Sequence, residues 1–254
     1  MKYCRYHDLA FCSKHLDQCG ETCSLVENPE ASFCCVCDGL LKPVTPGSVY
    51  DDAYFLRGAE TGKSLYTNYR WLPDLTIPMA KRIIEHLGFE GDKSTTILDY
   101  GCSRGYLVRA LRGFGYKAYG VDVSAWAIEN ADEIAKPHLV LIKGIGVGLH
   151  ADWIIAKDVL EHVQNLSDIV EEMLAFANRG IFAVVPLSMR DGCPYVIDDY
   201  ERDITHIHRL TLATWAGMFM RPGWTVEASY AVRGVKENYA YAPMGNGFVT
   251  VRRQ

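Results

Sequence analysis

Residues 96–105, Thr-Ile-Leu-Asp-Tyr-Gly-Cys-Ser-Arg-Gly, constrain the fold more than any other stretch of this chain. An apolar run enters a tight turn with glycines at Gly101 and Gly105, and a helix-patterned segment follows at once. Glycine lets the backbone bend where a Cβ would clash, and it lets a ligand come close to the peptide groups. The helix after such a turn points its free N–H groups and positive dipole end into the same crevice. A second apolar run, Ala118 to Val123, then delivers Asp122 at its end. A carboxylate at about that spacing suits the two ribose hydroxyls of an adenosyl ligand. Turn, helix and spaced carboxylate together weigh far more than a lone glycine turn.

The flanking pattern extends the same architecture. Ala80, Ile83, Ile84 and Leu87 recur at helical spacing, with Gly88 as the stop. Strands are expected at 95–100, 118–123, 138–143, 153–158 and 181–185. Between them lie helices at about 104–112, from Ser124 to about Lys136, from a Ser167 cap through Ala177, and from a Thr211 cap to about Met220. Two last β-patterned runs, 225–232 and 247–252, are separated by a turn at 243–245 with no intervening helix. Alternation of this kind implies an α/β fold with a mostly parallel seven-stranded sheet, helices on both faces and an antiparallel edge strand.

Seven of the nine cysteines lie before residue 38, and in a reducing compartment such a cluster reads as metal binding rather than disulfides. Four pairs have knuckle-like spacing: Cys4 with His7, Cys12 with His15, Cys19 with Cys23, and Cys34 with Cys37. Eight such ligands suit two tetrahedral zinc ions, and a single ion with spare cysteines is the conservative version. Closed sites of this type are structural. The expected organisation is therefore a small N-terminal zinc-binding domain over 1–42, a linker and tyrosine-rich segment over 43–76, and the α/β domain over 77–254. The polar start lacks the apolar core of a signal peptide, and no apolar stretch reaches membrane-spanning length, so a cytoplasmic protein is expected. A net charge of −5 argues against a phosphate-backbone partner.

The segments ILDYGCSRGYLVRAL, YGVDVS and IIAKDVLEHV resemble class I S-adenosylmethionine-dependent methyltransferases, notably the ubiquinone-biosynthesis-like group with a Rossmann-like sheet. The resemblance spans about 77–254, with good motifs over 96–165. It implies that Asp99, Gly101, Cys102 and Gly105 seat the methionine end of S-adenosylmethionine. It further implies that Asp122 binds the ribose and that Asp158 lies near the amino-acid end. Two departures stand out. Ser103 replaces a glycine common among relatives, and no acid follows strand three until Asp152, leaving adenine to backbone groups and to packing by Val123 or Trp126.

Methyl transfer needs an aligned nucleophile and a group to take its proton, for which histidine is suited. His162 follows strand four, and His206 and His208 follow the long strand-five loop; His206 and His162 rank above His208 as the base. A divalent-metal site using Asp158, Asp198 or Asp199 with a histidine is an alternative, as in some O-methyltransferases. The segment from Tyr50 to Trp71 resembles the lead-in of small-molecule and sugar methyltransferases that folds over the cofactor as a lid; the alternative is that its aromatics pack the N-terminal helices onto the sheet, and Tyr54, Tyr69 and Arg70 are the residues to test. The expected reaction is methylation of an oxygen, or less favourably a nitrogen, on a small polar metabolite such as a sugar. The rivals are an RNA methyltransferase with a nucleic-acid-binding zinc module and a non-catalytic cofactor-binding adaptor.

Overall fold

The computed structural model describes residues 47–143 and 149–254, together with three short N-terminal strands. The chain divides into two compact units, Met1–Val49 and Tyr50–Gln254. In the first, β1 (Lys2–Tyr3) pairs antiparallel with β2 (Leu9–Phe11), which pairs antiparallel with β3 (Lys42–Pro43). All eight expected zinc ligands, Cys4, His7, Cys12, His15, Cys19, Cys23, Cys34 and Cys37, lie outside the described residues.

The second unit is a seven-stranded sheet in the order β6-β5-β4-β7-β8-β10-β9. Its strands are β4 (Thr96–Tyr100), β5 (Lys117–Asp122), β6 (Leu139–Leu141), β7 (Ala151–Lys157), β8 (Ala177–Pro186), β9 (Trp224–Ser229) and β10 (Asn246–Arg253). Strands β4 to β8 pair in parallel. β10 inserts antiparallel between β8 and β9, so the reversed strand lies one place in from the edge.

Period-two alternation splits the core into two layers. Ile154, Ala156, Ile181, Ala183 and Val185 join one cluster, with residues of α4 (Leu166–Phe176) and α5 (Leu212–Met218). Trp153, Ile155, Phe182 and Val184 join the other, beneath α1 (Pro73–Leu87) and α2 (Tyr106–Gly113). Gly88 ends α1 in the left-handed conformation, and Thr211 caps α5 by accepting the Thr214 N–H.

Two expected helices differ. The helix after Ser124 is short, α3 (Ala125–Glu129), because the Asn130 carbonyl and the Asp132 N–H are taken by Arg104. α4 starts from Asn165 rather than Ser167, which brings the buried Leu166 into its first turn. Among the described residues, no helix is long and apolar enough to cross a membrane.

Candidate active site

Parallel strands β4, β5 and β7 end on one edge, and the sequence places its chemistry there. The turn after β4 closes by backbone bonds: Gly101 and Cys102 N–H both donate to Val121 O, and Gly105 N–H donates to Cys102 O. Gly101 and Gly105 have φ of 75° and 78°. Their missing side chains serve protein packing as well. A Cβ at Gly101 would sit 2.4 Å from Val159 Cγ2, and one at Gly105 would sit 2.7 Å from Ala135 Cβ and Leu139 Cδ1. Ser103 also adopts a left-handed φ of 49°, so the serine bears strain that a glycine would not.

That conformation aims the Ser103 N–H at Asp122 Oδ2, 2.6 Å away, while the Ser124 N–H donates to Oδ1 at 2.8 Å. Each carboxylate oxygen retains a further lone pair. Asp99, at the same end of the sheet, is buried as well. Burial pushes its carboxyl up to about 8, with the Asp122 charge adding to the rise and Lys157 opposing it. Burial raises Asp122 too, against the pull of the Ser124 and Ser103 N–H groups. Of the other turn residues, Cys102 is buried, Val123 is half-buried, and Trp126 stacks on Phe55 at 5.5 Å.

The end of β7 carries a second group. Asp158 has a φ of 54°, and its carboxylate bonds Lys236 Nζ at 2.6 Å and the adjacent Lys157. Burial acts to raise that carboxyl, but the two ammonium groups outweigh it and hold it well below the usual range. The next turn presents Glu161 and His162. Glu161 O accepts the N–H groups of Ile207 and His208, which draws residues 206–208 alongside. The rings of His162 and His206 thereby lie 4.6 Å apart. His208 turns away: its Nε2 contacts Val163 O at 2.6 Å and its ring meets Trp215. Asp198 and Asp199 are exposed and stand outside the cluster, with Asp199 facing Arg202.

Burial lowers the pKa of both histidines, that of His162 to about 4 with His206 contributing, so both are neutral near pH 7. Their support comes from a relay that the sequence did not advertise. Tyr54 OH donates to Asp203 Oδ2 at 2.7 Å; Asp203 Oδ1 accepts Thr205 Oγ1–H at 2.6 Å; Thr205 Oγ1 meets His162 Nδ1 at 2.7 Å. Tyr54 is thus buried beneath the histidines, its hydroxyl committed. Tyr69 is half-buried against Tyr66 and Tyr106, its carbonyl held by Arg104, and Arg70 is exposed. Glu161 stood inside the quoted LEHV motif, the one signal that could have found it. Thr205, Asp203 and Lys236 had none.

This fold is α/β, with its glycine turn and acidic residues gathered on one edge of the sheet. The chain belongs to the family described as methyltransferase domain, which matches residues 76–229, and it is an S-adenosylmethionine-dependent methyltransferase. Solved structures share the fold. Magnesium protoporphyrin IX methyltransferase (ChlM) from Synechocystis PCC 6803, with bound S-adenosylmethionine, aligns with a TM-score of 0.57 at 14% identity, covering 83% of this chain and 98% of that one. The plantazolicin methyltransferase BpumL, in complex with a triazolic desmethyl analogue and S-adenosylhomocysteine, aligns at 0.55 and 12% identity, covering 72% and 86%. A complex between the Haloferax volcanii Trm112 methyltransferase activator and a putative methyltransferase gives 0.55 at 18% identity, covering 80% and 96%. No curated protein sequence matches the chain.

Proposed function

We propose that the protein methylates a hydroxyl oxygen of a small polar acceptor, activated at Glu161, His162 and His206. The carrying observation is the convergence of those three side chains at the end of β7, on the same sheet edge as the glycine turn. S-adenosylmethionine supplies a methyl group made electrophilic by its sulfonium. The residues of the edge fit it. Asp99 and Asp122 are two buried acids, the Asp122 charge adding to the burial that keeps Asp99 protonated, a setting eased by a cationic amino acid, and Asp122 keeps lone pairs for the ribose hydroxyls. In our reading Gly101, Cys102 and Gly105 seat the methionine end, Val123 and Trp126 border the adenine, and Asp158 holds Lys157 and Lys236 beside the acceptor.

On transfer the acceptor O–H proton leaves to solvent, its oxygen gains the methyl, and the carbon–sulfur electron pair remains on S-adenosylhomocysteine. His162 and His206, neutral and buried, are the side chains we assign to the oxygen; His208 we assign to packing. The site is enclosed, with side-chain exposure of 2% at Glu161, 12% at His162 and 9% at His206, which favours the tip of a small molecule over a nucleic acid backbone. A sugar is one member of that class. ChlM is named for magnesium protoporphyrin IX and BpumL for plantazolicin, so the acceptor class we propose is not restricted to sugars. The first 42 residues we propose hold one or two structural zinc ions.

Transfer of labelled methyl groups across panels of sugars, phenols, amines and RNA tests the reading. Expected are an O-methylated product and S-adenosylhomocysteine, with kcat in His206→Ala lower by about 10²–10⁴-fold and cofactor affinity unchanged. Methylation of amines or RNA alone would overturn it.

A further inference from the structure

The hydrogen-bond network settles where the protons of this cluster sit. His206 Nδ1 lies 2.9 Å from the Tyr200 carbonyl, which can only accept, so Nδ1 carries the proton and Nε2 presents a lone pair. Asp203 receives Tyr54 OH, the Thr205 N–H and the Thr205 hydroxyl. With its own proton spent there, Thr205 Oγ1 accepts from His162 Nδ1, and His162 Nε2 is left with a lone pair as well. Both Nε2 atoms stand 3.9 Å from Glu161 Oε1, beyond hydrogen-bond reach. Glu161 is 1% exposed, and its Oε2 has no hydrogen-bond partner. Three electron-pair donors therefore face one another in a buried space, and burial, with the Asp158 charge adding, pushes the Glu161 carboxyl up to about 8, so its own proton is the hydrogen that sits among them when no ion is bound.

Left so, the carboxyl stays neutral and its buried Oε2 unpartnered, which costs the desolvation of that polar atom. A divalent cation reconciles it. The three ligand atoms lie within 4.8 Å of one another. Bond lengths near 2.1 Å put tetrahedral ligand atoms about 3.4 Å apart, so the two 3.9 Å separations close by roughly half an ångström and any wider pair by up to about 1.4 Å onto an ion. The far nitrogens are already held by a carbonyl and a hydroxyl, as the outer partners of metal-ligating histidines usually are. Two imidazoles and one carboxylate leave coordination positions open.

We propose that Glu161, His162 and His206 form a divalent transition-metal site whose open positions receive the acceptor's oxygen. It deepens the O-methylation reading and rests on it for the acceptor. The cation lowers the pKa of a bound hydroxyl, whose proton leaves to solvent. Asp158, held between two lysines, is no ligand; its charge offsets one of their two and so lessens their repulsion of the ion.

Mn²⁺ binding to the full chain, counted from the free-ion electron paramagnetic resonance signal, tests the site. Mn²⁺ is the probe because thiolates prefer softer ions, which keeps the cysteine-rich segment out of the count. Expected is one Mn²⁺ per chain, weakened at least tenfold in both Glu161→Gln and His206→Gln. Thr205→Val, which removes the support of His162 and the hydroxyl bond to Asp203 while leaving all three ligands in place, should weaken it about 10- to 100-fold. Calorimetric binding of S-adenosylmethionine to the same samples checks that each variant is folded. Absence of bound Mn²⁺, or equal binding by the folded variants, overturns the site. A chain that binds Mn²⁺ as expected but methylates only amines leaves the site standing and removes the O-methylation reading.

Discussion

Asp99 is an acid kept where ionisation is unfavourable, and its effect on stability has a definite sign. Its folded pKa is about 8, far above that of an unfolded aspartate. Between about pH 4 and 8 the folded chain therefore holds a proton that the unfolded chain has lost, so stability falls as pH rises through that window. Asp99→Asn stays neutral throughout. Without cofactor, the stability of the wild type relative to this variant should fall by a few kcal/mol between pH 5 and 8. Urea unfolding across that range measures it, and parallel curves would show that Asp99 is ionised in the folded state. Asp122 acts differently, because both its oxygens already accept backbone N–H groups. Asp122→Asn should weaken S-adenosylmethionine binding by about 10- to 100-fold through lost charge-assisted bonds. Unchanged affinity by calorimetry would remove it from the ribose site.

The element that ties the two ends of the site together is the turn from Tyr100 to Gly105. Val159, just beyond β7, fills the space a Gly101 side chain would need. Gly101→Ala should cost about 2–5 kcal/mol, combining left-handed strain with overpacking. Val159→Ala in the same chain should return about 1–3 kcal/mol, the overpacking share alone. Thermal unfolding of the single and double variants reads the coupling, and simple additivity would mean that Val159 is not the obstacle.

This turn was legible because its logic is local: an apolar strand, two glycines and a helix pattern fall within a few residues. Asp122 was legible for the same reason, one strand later. The short α3 was not, since what ends it is Arg104 taking the Asn130 carbonyl from 26 positions away. Likewise the histidines could be nominated one by one, but their proton arrangement depends on Tyr54 and Asp203, 149 positions apart, and on His162 and Thr205, 43 apart. No periodicity or motif encodes such pairs; only the folded sheet brings them to one edge.

At the scale of the molecule, every residue assigned to cofactor, cation and relay lies within Tyr50–Gln254. That unit has apolar layers on both faces of its sheet, and the sheet pairs wholly within it. A chain of residues 50–254 should unfold cooperatively and bind S-adenosylmethionine within about threefold of the full chain, a difference below 1 kcal/mol. The first 49 residues should be where thiolate chemistry resides. Co²⁺ added to the full chain should give near-ultraviolet sulfur-to-metal absorption, and the shorter chain should give none, although it retains Cys102 and Cys193. A short chain that unfolds non-cooperatively or loses the cofactor would assign the N-terminal unit a part in building the active site. Equal Co²⁺ spectra from the two chains would remove the zinc assignment from the N-terminal cysteines.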